Sequence, residues 1–336
     1  MKQILQQLSD GKTVVEEVPV PQVRPGTALV RTAISLVSAG TERMVVDFAE
    51  KNLVGKAASR PDLVKQVITK ARREGILPTL EAALNKLDQP MPLGYSSAGT
   101  IVEVSSDMTG FKVDDRVACA GGGFAVHAEY GVIPKNLLVH LTDEVDFESA
   151  AFTTLGAIAL HGFRLSSPQV GENVCVIGLG LLGLLTAQIA RAAGCQVFGI
   201  DLARDRIELA QRMGFAAAST EESLAQASSL TNGHGFDHVL ICADTTSDSP
   251  VELAGQIARD RGSVVAVGAV GMKIPRKLYY EKELQFKVSR SYGPGRYDLL
   301  YEEGGLDYPF GYVRWTENRN LQAFVNLLSS GRVDVH

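Results

Sequence analysis

The spacing of hydrophobic positions changes several times along the chain, and each change predicts a different kind of element. Short β-type runs at Thr13–Val18 and Thr27–Ser35 are separated by a segment rich in proline, with a glycine at its end. From Asp47 to Asp88 the apolar positions follow a helical spacing, which predicts two or three helices. From Gly94 the β-type pattern returns with turns that contain glycine and aspartate. The first part of the chain is therefore predicted to be β-rich with a helical insertion.

The pattern changes again near Phe147. Short apolar runs then alternate with helical patterns, from the run Asn173–Gly178 to the run Leu284–Ser291. Strands interleaved with helices indicate a parallel sheet with right-handed crossovers. The predicted fold class is α/β, with a β-rich N-terminal domain and a doubly wound parallel sheet. The expected divisions are residues 1–146 with an insertion at 47–88, residues 147–300, and a C-terminal segment at 301–336.

Composition narrows the kinds of protein to consider. A chain of 336 residues with 45% apolar residues can bury two cores, which excludes a disordered chain. The net charge of −5, without a long run of one sign, argues against a nucleic-acid partner. The longest nearly apolar stretch, Val174–Ala187, is too short to cross a membrane, and the N-terminus lacks the apolar core of a signal peptide. Four dispersed cysteines predict neither disulfides nor a structural zinc lobe, so we expect a cytoplasmic protein.

A glycine motif carries the clearest chemical signal. Gly178, Gly180 and Gly183 form a G-x-G-x-x-G pattern, with Leu181 and Leu182 between the last two, after an apolar run and before a helical pattern. The first glycine allows a tight turn, the second lets a pyrophosphate approach the backbone, and the third lets the helix pack closely on the strand. The helix N-terminus then offers free N–H groups to phosphates. A packing turn without a ligand is the alternative.

An acidic residue follows the motif at a suitable distance. Asp201 stands 23 residues after Gly178, at the end of the next apolar run. A carboxylate there would accept both ribose hydroxyls and would repel a 2′-phosphate, which favours NAD over NADP. Arg204 and Arg206 lie just beyond it and would either bind a 2′-phosphate or face solvent. With Asp201 in place, we expect NAD as the cofactor.

Ordered motifs along nearly the whole chain resemble the medium-chain dehydrogenase/reductase superfamily. They include LGYSSAGTIVEV, VDDRVACAG, GENVCVIGLGLLG and RGSVVAVG in that order. The resemblance implies a GroES-like catalytic domain followed by a Rossmann domain, with the active site in the cleft between them. It also implies a small-molecule substrate and a homodimer. By the same resemblance, a set of backbone positions is expected to hold the nicotinamide end of the cofactor: Ala243, Gly268, Ala269, Ser291 and Tyr292. Arg206, from its position just beyond Asp201, is counted among the cofactor-binding candidates as well.

The chain departs from the superfamily at the positions that resemble its zinc ligands. Ala39 stands where zinc-dependent members have a cysteine, Gly94-Tyr95-Ser96 replaces Gly-His-Glu, and Thr154 replaces a later cysteine. Zinc prefers cysteine, histidine and carboxylate ligands, which these positions do not supply. The resemblance therefore implies a member without catalytic zinc, and we expect no metal.

Further segments resemble the N-terminal module of bi-domain oxidoreductases, in which a second dehydrogenase module follows. They are Ser38–Arg43, Gly121–Glu129, Ser289–Asp298 and Asp307–Arg319. This resemblance implies a fused or partner dehydrogenase module and a link to sugar metabolism. Family members continue with a strand and helix that return to the catalytic domain, and this return is expected to be cut short at His336.

Hydride transfer without zinc requires side-chain hydrogen bonds to stabilise charge on the reacting oxygen. The candidates are the positions that replace the zinc site: Thr41, Tyr95, Ser96 and Thr154. Tyr95 is the first choice because a phenol can donate to an alkoxide-like oxygen, although it could instead only fill the emptied metal cavity. His127 could relay a proton or be a packed residue. Glu42 replaces a family aspartate, so we expect a structural role for it.

Three functions stay open at this point. The first is an NAD-linked oxidoreductase of a carbonyl or alcohol carbon in a polar, sugar-derived substrate. The second is a zinc-free enone or quinone reductase, against which Asp201 argues because such relatives favour NADPH. The third is a non-catalytic NAD-binding module that senses redox state or serves as a scaffold.

Four arginines in aromatic-rich segments suggest an anionic, sugar-like substrate. They are Arg290, Arg296, Arg314 and Arg319. Guanidinium groups bind carboxylate or phosphate, and aromatic faces stack on sugar rings. The alternative is that the arginines pair with Glu302, Glu303 and Asp307 and only stabilise the loop.

Overall fold

The chain divides into two units, Met1–Leu138 and Val139–His336, and each is described by itself. The computed structural model describes residues 1–8, 10–51, 55 and 89–336. Most of the predicted helical insertion at 47–88 lies outside the described residues; residues 47–50 belong to the helix Ala39–Glu50, and residues 51 and 55 are also described. No helix in the described ranges is long and apolar enough to cross a membrane.

The first unit is built from short strands and confirms the predicted β-rich character. Its helix α1 is Ala39–Glu50, and a 3₁₀ turn spans Lys135–Leu137. The strands, in chain order, are β1 (Lys2–Gln6), β2 (Thr13–Glu17), β3 (Thr27–Ser35), β4 (Met91–Pro92), β5 (Ser96–Val104), β6 (Arg116–Ala120), β7 (Tyr130–Pro134) and β8 (Leu138–His140), the last crossing the boundary between units. They form a three-stranded sheet, β2-β1-β4, and a five-stranded sheet, β7-β3-β5-β6-β8.

Strand β3 runs through the five-stranded sheet with antiparallel neighbours on both sides. Its residues Ala28, Leu29 and Val30 are buried, which agrees with their apolar character. A Cβ at Gly99 of β5 would collide with the carbonyl oxygen of Arg31, so the close approach of β3 and β5 requires glycine there. This sheet carries β3 and β5, whose ends border the polar residues considered below.

The second unit is a six-stranded parallel sheet with helices, which confirms the predicted doubly wound fold. Its strands are β9 (Asn173–Ile177), β10 (Gln196–Asp201), β11 (Ala216–Ser219), β12 (Phe236–Ile241), β13 (Ala258–Ala266) and β14 (Gln285–Val288). Its helices are α2 (Phe147–Ala150), α3 (Thr153–Ser166), α4 (Leu181–Ala192), α5 (Arg204–Arg212), α6 (Thr220–Leu230), α7 (Ser249–Ile257), α8 (Arg276–Glu281), α9 (Leu299–Glu302) and α10 (Glu317–Ser329).

The strand order of this sheet is β11-β10-β9-β12-β13-β14. The order reverses between β9 and β12, and ligands of such sheets bind beyond the carboxyl ends of the strands at this reversal. The central strands read as continuous apolar runs because both faces of the sheet are covered. Val174, Val239 and Leu240 are fully buried, and the rings of Phe198 and Phe236 stack with their centroids 5.7 Å apart.

Helices α3 and α10 pack against each other at the side of this unit. A Cβ at Gly156 in α3 would collide with the ring of Phe324 in α10, so glycine permits the close approach of the two helices. The end of α3 is further joined to α10 by a hydrogen bond from Arg164 Nη1 to Asn320 Oδ1. This contact places the polar end of α3 beside the segment that precedes α10.

Candidate functional site

The glycine motif forms a tight turn between β9 and α4. Gly178 has a φ of +94°, and a Cβ there would lie 2.7 Å from the backbone nitrogen of Ala243. A Cβ at Gly183 would collide with the carbonyl oxygen of Gly178, so the third glycine lets α4 approach the turn. Gly180 is the N-cap of α4, and the nearest atom to a Cβ there is Arg206 Nη1 at 3.9 Å. The turn is thus closed on its inner side and open beside Gly180.

Asp201 ends β10 next to this turn and is only 8% exposed. Its Oδ2 accepts a hydrogen bond from the backbone N–H of Leu179 at 2.6 Å, and its Oδ1 accepts from the N–H of Ala203 at 2.8 Å. Each carboxylate oxygen has two acceptor sites, so one site on each is unused by these bonds. The backbone therefore holds the carboxylate in a fixed position beside the glycine turn.

The two arginines after Asp201 differ in their environment. Arg206 Nη1 lies 3.6 Å from Asp201 Oδ2, and its side chain is 54% exposed. Arg204 is 92% exposed and pairs with Glu208 on the same helix face. Of the two, Arg206 borders the turn, whereas Arg204 faces solvent.

The predicted nicotinamide-end positions follow the carboxyl ends of β12 and β13. The N–H of Cys242 donates to the carbonyl of Ile177 at 2.8 Å, which joins the end of β12 to the end of β9. A Cβ at Gly268 would collide with the carbonyl oxygen of Ala243, and the N–H of Thr245 donates to the carbonyl of Ala269 at 2.8 Å. Ala243, Gly268 and Ala269 thus lie at the same edge of the sheet as Gly178.

Ser291 and Tyr292 follow the last strand of the sheet. Ser291 has a φ of +52°, and Tyr292 is buried. The carbonyl of Tyr292 accepts a hydrogen bond from Asn320 Nδ2 at 2.8 Å, and burial raises the pKa of the phenol. The backbone at Tyr292 is therefore fixed by α10.

A buried polar network occupies the first unit. His127 Nε2 lies 2.8 Å from Glu42 Oε2, and His127 Nδ1 lies 2.9 Å from Ser35 Oγ. Glu42 Oε1 accepts a second bond from the backbone N–H of Ser38 at 2.8 Å. A carboxylate only accepts, which assigns the proton to Nε2 and leaves Nδ1 to accept from the serine hydroxyl. The result is a chain of hydrogen bonds from half-buried Ser35 to buried Glu42.

The loop that carries Tyr95 packs directly against this network. The N–H of His127 donates to the carbonyl of Leu93 at 2.8 Å. Gly94 has a φ of +96°, and a Cβ there would lie 2.8 Å from the backbone nitrogen of His127. Tyr95 follows at once and is half-buried, and Ser96 begins β5 and is buried. Tyr95 and Ser96 therefore follow directly, in sequence, the part of the loop that contacts His127.

The remaining predicted catalytic residues lie elsewhere. Thr154 is fully buried near the start of α3 in the second unit. Thr41 belongs to α1, and its side chain lies outside the described part of the structure. Sequence reasoning did not single out Ser35, because 92 residues separate it from its partner His127. No motif in the sequence could have linked them.

The donor set at the positions expected for zinc does not fit that metal. Ala39 has no donor atom, and the nearby histidine and carboxylate, His127 and Glu42, are bonded to each other. Within the described residues, no group of three or more His, Cys, Asp or Glu side chains could hold a metal ion.

The four arginines of the C-terminal segments have different partners. Arg296 forms an ion pair with Glu302, and Arg319 forms one with Asp307. Arg290 packs on the ring of Tyr297 at 4.3 Å, and Arg314 packs on the ring of Trp315 at 3.8 Å. Arg296 and Arg319 thus have carboxylate partners of the kind that the loop-stabilising alternative requires.

Comparison with known proteins gives the family. The model of the alcohol dehydrogenase GroES-like domain matches residues 66–143, and that of the zinc-binding dehydrogenases matches residues 182–303. A probable D-xylulose reductase A from Neosartorya fischeri is 30% identical over 251 residues, which cover 62% of this chain and 68% of that protein. A sorbitol dehydrogenase from Halalkalibacterium halodurans is 30% identical over 234 residues, 60% of this chain and 65% of that protein.

Solved structures agree with the fold. The crystal structure of galactitol-1-phosphate dehydrogenase from Escherichia coli superposes with a TM-score of 0.72 at 20% sequence identity, over 99% of this chain and 90% of that one. The chain belongs to the medium-chain dehydrogenase/reductase family and is an oxidoreductase with a GroES-like domain and a Rossmann-type domain. The resemblance to that family, expected from the ordered motifs, is confirmed.

Proposed function

We propose that the protein is an NAD(H)-dependent oxidoreductase that transfers hydride to or from a carbonyl or alcohol carbon of a polar, sugar-derived substrate without catalytic zinc. The observation that carries this proposal is the fixed Asp201 carboxylate beside an open glycine turn. A bound nicotinamide cofactor would supply the hydride acceptor or donor.

The cofactor assignment follows from what the residues of the turn can do. Backbone N–H groups at the start of α4 would bind the pyrophosphate, and the open side of Gly180 leaves room for it. The unused acceptor sites of Asp201 would bind the ribose hydroxyls, and its negative charge would repel a 2′-phosphate. Arg206 partly offsets that charge, so the preference for NAD depends on the balance between these two residues.

The substrate class rests on the relatives. Proteins named as D-xylulose reductase and sorbitol dehydrogenase are 30% identical to this chain within the regions that align. The first name states a ketose that is reduced, and the second states a polyol that is oxidised. We therefore propose a polyol or a related sugar carbonyl as the substrate.

Without zinc, the chain's own groups must stabilise the reacting oxygen. Tyr95 and Ser96 carry hydroxyls that can donate hydrogen bonds to an oxygen as its negative charge develops. Thr41 and Thr154 are the other hydroxyl donors that we propose for this role. Tyr95 remains the first candidate because it is half-buried beside the loop that touches His127.

The His127 network offers a route for the proton. Ser35 is half-buried and hydrogen-bonded to His127, whose other nitrogen faces Glu42. His127 can accept a proton at Nδ1 through Ser35, and Glu42 would stabilise the resulting imidazolium. We propose that Ser35 and His127 pass the proton between the reaction and solvent.

The proposal is tested by assays of turnover with a panel of polyols and NAD⁺ after treatment with a chelator. We expect turnover of at least one polyol with NAD⁺, unchanged by chelation, and slower turnover with NADP⁺. His127→Gln should lower kcat and change the pH profile of the rate, whereas the exposed His140→Gln should change neither. NAD binding without turnover of any polyol or ketose would refute the oxidoreductase proposal for this substrate class.

A further inference from the structure

Two guanidinium groups in the second unit pack on one indole ring. Arg164, in the last turn of α3, lies with its Cζ 3.3 Å from the ring centroid of Trp315. Arg314 lies with its Cζ 3.8 Å from the ring of the same tryptophan. The two positive charges are thus closer together than the Debye length of about 8 Å at physiological ionic strength, so they repel each other.

Neither positive charge has a counter-ion in the described part of the chain. Arg164 donates to the neutral amide oxygen of Asn320, and neither arginine forms an ion pair with a described carboxylate. Burial, and next the charge of Arg314, lower the pKa of Arg164 to about 10. Asp307 is already paired with Arg319.

The acidic residue nearest in sequence does not offset these charges at neutral pH. Glu317 is fully buried, and burial together with Glu302 raises its pKa to about 9. Glu317 is therefore protonated and neutral near pH 7. Glu317 therefore does not compensate the positive charges of Arg164 and Arg314.

One exposed aromatic ring packs against the exposed arginine, and a second lies close to it in sequence. The ring of Phe310 lies 4.7 Å from Arg314 Cζ and is more than half exposed. Tyr312, two residues before Arg314, is 91% exposed. Large aromatic side chains left in water beside unpaired guanidinium groups are typical of surfaces that bind a ligand with both a ring and an anionic group.

We propose that Arg164, Arg314 and Trp315 form a binding site for a phosphorylated sugar. A phosphate dianion matches the two uncompensated charges, and guanidinium groups bind phosphate oxygens through paired N–H donors. The sugar ring would stack on the exposed aromatic surface next to Arg314. The site lies wholly within the second unit, and the inference requires no hydride transfer, so it goes beyond the function proposed above.

The chain contains one tryptophan, so its intrinsic fluorescence reports directly on this site. The protein is titrated at low salt, without nucleotide, with glucose 6-phosphate, ribose 5-phosphate and galactose 1-phosphate. Inorganic phosphate and glucose are the reference ligands, and calorimetry confirms each affinity. We expect saturable binding of at least one sugar phosphate, at least tenfold tighter than binding of either reference ligand.

Variants distinguish binding at this site from nonspecific attraction of anions to the protein surface. Arg314→Gln should weaken binding at least tenfold without changing the melting temperature, because Arg314 is exposed. Arg164→Gln should also weaken binding. Arg332→Gln, an exposed arginine beyond the other end of α10, is the matched control and should bind like the wild type.

Three results would each overturn the assignment. They are the absence of saturable binding by all three sugar phosphates, equal affinity for inorganic phosphate, and wild-type affinity in Arg314→Gln. Because the titrations contain no cofactor and measure no turnover, a protein inactive toward every polyol could still pass this test. A protein that fails it could still be an active oxidoreductase.

Discussion

The Asp201 carboxylate accepts a hydrogen bond from the glycine turn and is also the group that we propose to bind the ribose. Its two backbone bonds fix its position, and Arg206 is the one charged group that pairs with it among the described residues. We expect the wild type to bind NADH at least tenfold more tightly than NADPH, a difference of about 1.4 kcal/mol. Fluorescence titration with both nucleotides measures this preference.

Single substitutions identify the source of the preference. Asp201→Asn keeps the size of the side chain but removes its charge and one acceptor, so it should reduce the preference for NADH. Arg204→Gln, at the solvent-facing arginine, is the control and should leave the preference unchanged. Equal wild-type affinities for the two nucleotides would show that Arg206 outweighs the carboxylate.

Glu317 should make stability depend on pH. Its carboxyl oxygens have no hydrogen-bond partner among the described residues, and burial raises its pKa from 4.5 to about 9. Between these values the folded protein keeps a proton that the unfolded chain loses, so this residue lowers stability as pH rises, by at most about 1.4 kcal/mol per pH unit. Glu317→Gln should remove that slope, and the variant should gain stability over the wild type from pH 5 to pH 9.

Chemical denaturation at several pH values measures the difference between the two proteins. Glu303→Gln is the control, because Glu303 is exposed and should show no such trend. Parallel stability curves for the wild type and Glu317→Gln would contradict the prediction. Among the charged groups near Glu317, Glu302 and Asp298 raise its pKa, and Arg296 lowers it.

At the scale of elements, one lysine closes the end of a helix in the second unit. Lys282 Nζ donates to the carbonyls of Gly255, Gln256 and Ala258 at 3.0, 2.7 and 2.7 Å, at the end of α7. These carbonyls lack partners within the helix, and a cation at a helix C-terminus is favourable. Lys282→Met should lower the free energy of unfolding by about 1–3 kcal/mol.

Urea denaturation checks this prediction with a nearby lysine as the control. Lys277 is 88% exposed and forms only a surface pair with Glu281, so Lys277→Met should change stability by less than about 0.5 kcal/mol. An equal effect of the two substitutions would show that the contacts of Lys282 with the helix end do not contribute.

The sequence predicted buried strands of the second unit where they are short apolar runs. The run predicted at Asn173–Gly178 is β9, because a buried parallel strand is a short apolar run that ends at a glycine turn. Strand β13 extends beyond its apolar part, because it starts at Ala258 and its residues Arg259–Arg261 are charged, and its register with β12 shifts before Ser263. Polar residues at the start of a strand leave no periodic signal.

The candidate site was predictable only where it is local in sequence. The glycine turn and Asp201 lie within one strand–helix–strand unit, so their spacing was visible. The bond between His127 and Glu42 joins residues 85 positions apart, and Arg164 meets Trp315 through the packing of α3 against α10. Such pairs depend on tertiary structure, which no local pattern contains.

At the scale of the whole molecule, the family is shown, whereas independence of zinc is a prediction that depends on four positions. Family models match parts of both units, one of them under the description of zinc-binding dehydrogenases. Ala39, Tyr95, Ser96 and Thr154 nevertheless stand at the positions that resemble the zinc ligands, and none of them is a good ligand for zinc. We expect the buried apolar strands and glycine turns to form the fold without the metal.

We therefore expect purified protein to contain no stoichiometric zinc by elemental analysis. Chelation should leave its melting temperature and its affinity for NADH unchanged, because no described group of side chains is suited to hold a metal ion. A zinc-containing alcohol dehydrogenase, treated in parallel, is the positive control and should lose both metal and activity. One tightly bound zinc per chain, with loss of stability on its removal, would show that other residues supply the ligands and that the comparison of these four positions is wrong.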